Sequence, residues 1–185
     1  MQVLIQYCDT NNPRFELNYI YVDEKHAVST NTRALAFIEH TEAIDKPFLV
    51  SVKAAVTAIK VQGAFRFRLE PNRIICLDSK DIEIVTISSQ EPPEWRWTDY
   101  KRIIPESMAH TVRFAHQNEI GGVLVVNKVT IDNRFIPKID GGYIGINSNS
   151  TPIMVQDEDK RIGVIIMPYT GFFDDIDYTS TRTAA

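Results

Sequence analysis

Four histidines, two cysteines and two runs of acids are the side chains of this 185-residue chain best suited to catalysis or metal binding. The histidines are His26, His40, His110 and His116. None stands at zinc-ligand spacing from another His or from a Cys. His40 and Glu42 in "EHTE" have the types for acid–base work, but a solvated loop is the better reading. The acids of "QDEDKR" and "FFDDIDY" could recruit calcium. They lack the glycine and ligand spacing of a calcium loop and read as charged turns. Neither Cys8 nor Cys76 has a base beside it, and Cys76 sits in an apolar run that suggests packing. The glycine pairs at 121–122 and 141–142 are turn signals, not a phosphate cradle. The expectation is a protein without catalytic residues, metal or cofactor, which acts by binding.

Two binding chemistries stand out. Between Val50 and Gly63 lie Lys53 and Lys60 and no acid, and "PESMAHTVRFAHQNE" carries His110 and Arg113 with its acids only near the ends. The chain has net charge −4 and a pI of about 5.6. Acid-free basic stripes on such a chain suit phosphate contacts, which need only loosely placed Lys and Arg. Ordinary solvated faces are the competing reading. Near the end, "RIGVIIMPYTGFFDDIDY" turns from a buried-strand pattern into Met167, Pro168 and Tyr169, the types that wall a peptide groove.

The elements that must position these residues alternate with period two. "LNYIYVDEKHAVSTNTRALAFIEH" gives two or three strands, and "AFRFRLEPNRIICLDSKDIEIVTISS" a three-strand meander turning at Pro71–Asn72 and Ser79–Asp81. "RFIPKIDGGYIGINSNSTPIMVQDEDKRIGVIIMP" is a third group, with a hairpin turn expected at Asp140–Gly142. Two stretches break the alternation. Residues 51–61 place Val52, Ala55, Val56 and Ile59 on one helical face, and residues 105–119 form a second helix stopped by Gly121–Gly122. Many antiparallel strands with two amphipathic helices on one side make an α+β fold. "QEPPEWRWT" at 90–98 is the best candidate boundary. The Cys count suggests a reducing cytosol. The start shows no signal-peptide pattern, and no stretch approaches the ~18 apolar residues of a membrane span.

Three segments carry a more specific signal. "VSTNTRALAF" (28–37), "WTDYKRIIPES" (97–107) and "GVIIMPY" (163–169) resemble, in order, three signatures of the bacterial sliding clamp, the beta subunit of DNA polymerase III. There a strand reading roughly V-A-T-D-G-H-R-L-A is followed by F-P-D-Y-R-R-V-L-P and a terminal V-V-M-P-M-R-L. The resemblance covers residues 17–107 and 142–169. It implies a clamp-like fold with a domain at 1–97, truncated in its N-terminal half, a partial second unit at 98–173 and a flexible acidic tail at 174–185. It also implies a processivity factor that encircles double-stranded DNA non-specifically as a homo-oligomer, is cytoplasmic and does not enter membranes. Its groove would take a peptide of a DNA polymerase or clamp loader. Carried over, that groove comprises Thr30, Thr32, Leu35, Thr98, Arg102, Ile103, Ile165, Met167, Pro168 and Tyr169. Lys53, Lys60 and Arg113 would face DNA.

The chain departs from the family in being shorter, and residues 108–141 fit poorly. The Gly-His-Arg core of the first signature reads Thr32-Arg33-Ala34, losing the glycine, and the terminal Met-Arg-Leu reads Tyr169-Thr170-Gly171. Two alternatives stay open: a clamp-derived interaction module that does not encircle DNA, and an unrelated phage or bacterial assembly protein.

Overall fold

The computed structural model describes residues 1–148 and 150–168. Asn149, Tyr169 and the tail at 174–185 lie outside them.

Period-two alternation becomes strand wherever it was read. The first group gives β1 (Tyr19–Val22), β2 (His26–Thr30) and β3 (Ala34–Glu39), followed by β4 (Phe48–Ser51). A short helix, α1 (Gln2–Gln6), precedes them. β4 runs into α2 (Val52–Ala58), which buries Val52, Ala54, Ala55 and Ala58 and leaves Lys53 and Thr57 exposed. The meander is β5 (Arg66–Glu70), β6 (Arg73–Leu77) and β7 (Glu83–Ser88). Its turns use Asn72 at φ 64° and Asp81 at φ 63°, left-handed conformations that Asn and Asp tolerate best among residues with a side chain.

Residues 105–119 are not a helix. His110–Phe114 is a strand, β8, and the helix α3 runs from Gln117 to Val126, through the glycine pair expected to stop it. Two tertiary effects override the local pattern. β8 is committed by pairing with β9 (Gly142–Ile146), Val112 opposite Ile144, and by burying Phe114. α3 tolerates two glycines, at roughly 1 kcal/mol each, because Ile120 and Leu124, one turn apart, are both buried in the core. Arg113 therefore stands on an edge strand, not on a helix. The expected hairpin at Asp140–Gly142 is also absent. Those residues lead into β9 from the irregular segment after α3, and β9's partners are β8 and β10 (Ile153–Asp157). β10 returns through the "DEDKR" turn into β11 (Ile162–Ile166).

Among the described residues the strands form two antiparallel sheets, ordered β4-β1-β2-β3-β11-β10-β9-β8 and β5-β6-β7. The large sheet joins early and late sequence at β3–β11, where Leu35 faces Ile165 and Phe37 faces Gly163. The main core lies under it, with α1, α2, α3 and the small sheet supplying the other layer. A second, smaller cluster forms on its opposite face. β6 and β11 are buried along four consecutive residues each, as expected of strands covered on both faces.

Candidate functional site

The smaller cluster is where the three distant segments meet. Val28, Leu35 and Phe37 come from the first, Tyr100 from the second and Ile165 from the third, with Tyr21, Trp97, Ile104 and Met154 packed at its margin. The local reasons are simple. β2 and β3 are joined by a tight turn at Asn31–Arg33. Asn31 Oδ1 accepts from the backbone N–H groups of Arg33 and Ala34, and Thr30 Oγ1 donates to the Ala34 carbonyl. Thr32 takes φ 73° there, a conformation disfavoured for a β-branched residue. It occupies the place of the glycine in the resembled signature. The Arg33 carbonyl then accepts from the Met167 N–H at 2.9 Å, fixing the end of β11 to the turn.

The connector at 90–98 has no helix or strand of its own and lies along this face. Trp97 stacks on Tyr21 with ring centroids 5.2 Å apart and planes at 10°, and Trp95 meets the same ring edge-on at 6.0 Å. Glu91 Oε1 accepts from the Leu49 N–H at 2.7 Å. The chain then enters a 3-10 turn at Tyr100–Arg102 that drops the Tyr100 ring into the cluster.

A buried polar network anchors that ring. The Tyr100 hydroxyl donates to Asp23 Oδ2 at 2.9 Å and lies 2.8 Å from His26 Nδ1. A hydroxyl has one proton, and here the carboxylate takes it, so His26 Nδ1 is the protonated nitrogen and donates to the Tyr100 oxygen. Burial pushes Asp23 up, but the N–H groups of Lys25 and His26, the Tyr100 hydroxyl and the Lys101 ammonium outweigh it and hold the carboxyl below its usual range. Burial drives His26 down, and burial with the Asp23 charge drives Tyr100 up. The resting state is an ionised Asp23, a neutral His26 and a protonated Tyr100.

The groove residues named from sequence divide into floor and surface. Leu35 and Ile165 are buried and form the floor. Thr30 and Pro168 are half-buried, while Thr32, Thr98 and Arg102 are exposed, Arg102 paired with Asp99 at 3.0 Å. Ile103 and Met167 are large apolar side chains left 39% and 44% exposed, the condition expected of a surface awaiting a partner. Tyr169 lies outside the described residues. Sequence reasoning missed Asp23, His26 and Tyr100; the only signal was a Tyr inside the second signature and an Asp and His flanking the polar turn at 24–25.

Lys53 and Lys60 sit exposed on and just after α2, and neither makes an ion pair among the described residues. Lys53 is shared by two polar depressions of about 430 and 360 Å³, whose lining includes no acid. Arg113 differs, since its Nη2 is held by Glu158 Oε1 at 2.6 Å. Burial raises the thiols of both cysteines, Cys8 to about 12, so both are protonated and poor nucleophiles at neutral pH. Among the described residues no group of three His, Cys, Asp or Glu is placed to hold a metal ion, and no helix is long and apolar enough to cross a membrane.

No protein-family model and no curated protein sequence matches the chain. Solved structures match it in fold. The Helicobacter pylori beta clamp bound to a DNA ligase peptide shares 12% identity at TM-score 0.62, over 91% of this chain and 62% of that one. Caulobacter crescentus pol III beta shares 14% at TM-score 0.66, over 92% and 62%. A putative DNA polymerase III beta subunit from Eubacterium rectale shares 11% at TM-score 0.64, over 91% and 61%. The chain has the sliding-clamp fold and spans less than two thirds of the length of these proteins.

Proposed function

We propose that the chain is a shortened, non-catalytic clamp-like processivity factor. It assembles as a homo-oligomer around double-stranded DNA in the cytoplasm and tethers a polymerase or clamp-loader peptide in a groove. The observation that carries the peptide site is the convergence of three distant segments on one apolar floor, with Ile103 and Met167 exposed beside it. A peptide bound to the Helicobacter pylori clamp is in keeping with such an occupant. Leu35 and Ile165 hold the floor, and Met167, Ile103, Pro168 and Tyr169 contact the peptide. Thr30, Thr32, Thr98 and Arg102 form its polar rim. Lys53 and Lys60 contact phosphates without reading sequence. Arg113 is left out of that role because Glu158 already neutralises it. Residues 1–97 and 98–173 are the two units of this reading, laced together by the β3–β11 ladder.

A fluorescent apolar-aromatic clamp-binding peptide tests the groove. Met167→Ala should weaken its binding by about tenfold, the effect of losing one well-placed apolar anchor. Stability should hardly change, because Met167 is nearly half exposed. Unchanged affinity in Met167→Ala and in Ile103→Ala would remove the assignment.

The short span relative to the matched clamps favours a second reading, an interaction module that keeps the groove and does not encircle DNA. Mass by light scattering separates the two: a closed oligomer supports the first, a strict monomer the second.

A further inference from the structure

Away from the groove, a cavity of about 330 Å³ opens between α1, the first three strands and β5, within the roughly 300–1,000 Å³ range of small-molecule sites. Its walls are mainly apolar, with Leu4 from α1, Ala27 and Ile38 from the sheet, and Phe67 and Leu69 from β5. Phe65 stands at its edge, 68% exposed, a large ring with little covering it.

Three polar side chains line it: Arg66, Glu42 and His40. Arg66 is already committed, its Nη1 lying 2.8 Å from both carboxylate oxygens of Asp81. Glu42 is exposed and can stay hydrated. His40 is different. Its Nε2 lies 2.9 Å from the Asp23 carbonyl oxygen, which can only accept, so Nε2 carries the proton. In the neutral ring Nδ1 is then a bare acceptor, and it is shielded from solvent with no donor among the described residues. A buried acceptor without a donor is costly, and such an atom in the lining of an apolar cavity calls for an explanation.

We propose that this cavity binds a compact, uncharged aromatic group carrying one N–H or O–H donor, of the indole or phenol class. The ring lies against the apolar walls and the donor meets His40 Nδ1. A charged ligand does not fit, because the lining offers no free counter-charge for an anion, and burying a cation against apolar walls would be costly. The group could be a free molecule or an aromatic side chain of a partner, and the chemistry is the same.

The test uses the full chain, with indole and 1-methylindole as matched probes followed by NMR of the 15N-labelled His40 ring. Indole should bind about tenfold more tightly than its donor-less analogue, the worth of one buried hydrogen bond made rather than left open. It should shift the His40 Nδ1 resonance, and 1-methylindole should not. Binding of N-acetyltryptophanamide at the same resonance identifies a partner side chain as the occupant; binding of indole without it identifies a free molecule. Equal affinity for indole and 1-methylindole, no binding of either, or indole binding that leaves His40 unmoved would overturn the proposal.

Discussion

The Tyr100 hydroxyl donates to the Asp23 carboxylate at 2.9 Å across 77 residues of sequence, tying the connector to the turn between the first two strands. The same oxygen receives the His26 Nδ1 proton. One phenol thus satisfies two buried polar groups, and its ring fills the cluster beneath the groove.

Removing that hydroxyl should be costly although the ring remains. Tyr100→Phe should lower stability by about 1–3 kcal/mol, since His26 loses its partner and Asp23 one of its donors in a buried site. The urea midpoint should fall with the slope unchanged. A midpoint equal to the parent's would mean that the network contributes nothing.

The network also predicts an acid limb. Burial sets the folded-state pKa of His26 below its ordinary 6.5, with Lys25 and Lys101 adding to the fall and Asp23 and Glu39 opposing it. As pH drops through about 6.5 the unfolded chain takes up this proton before the folded one, so stability declines. Asp23, held below 3.8, adds a second loss as pH falls through that value and on through its folded pKa. Urea midpoints from pH 8 to 4 should trace the first limb, and His26→Gln should flatten it. A flat parent profile across that range would contradict the assignment.

Gly163 lies opposite Phe37 where β11 meets β3, and a Cβ placed on it would run into the Phe37 ring. Gly163→Ala should cost about 1–3 kcal/mol through overpacking, and adding Phe37→Leu should return part of it. Additive losses in the double variant would show that the two sites do not share this space.

Thr32 adopts φ 73° on the exposed tip of the β2–β3 turn. Thr32→Gly should relieve about 1–2 kcal/mol of left-handed strain, less about 0.4–1 kcal/mol for the more flexible unfolded chain. A small net gain in thermal midpoint is expected; a loss would place an unrecognised contact on the threonine side chain.

Much of the fold was legible because its signals are local. The meander at 65–88 shows alternation, a Pro–Asn turn and a Ser–Lys–Asp turn, and each behaves as local chemistry requires. β8 and α3 were not legible. His110, Thr111 and Arg113 are exposed on an edge strand, so β8 is specified by its partner β9 and not by its own pattern. The glycines of α3 are excused by burial at Ile120 and Leu124. The groove was legible only through its resemblance to known signatures, and that marked Leu35 and Ile165 without revealing them as floor. The Asp23–His26–Tyr100 network left no local trace, because the partner of the first two lies at the far end of a connector that reads as a linker.

The central claim is that this chain closes around duplex DNA. The most direct measurement threads the protein onto a linear duplex, seals the duplex into a circle by ligation and washes in high salt, which strips phosphate contacts. The account predicts that protein stays on the circle and is lost when the circle is cut, and that Lys53→Glu with Lys60→Glu weakens its binding to linear duplex at low salt. Protein that washes from the sealed circle as completely as from the linear duplex would contradict encirclement.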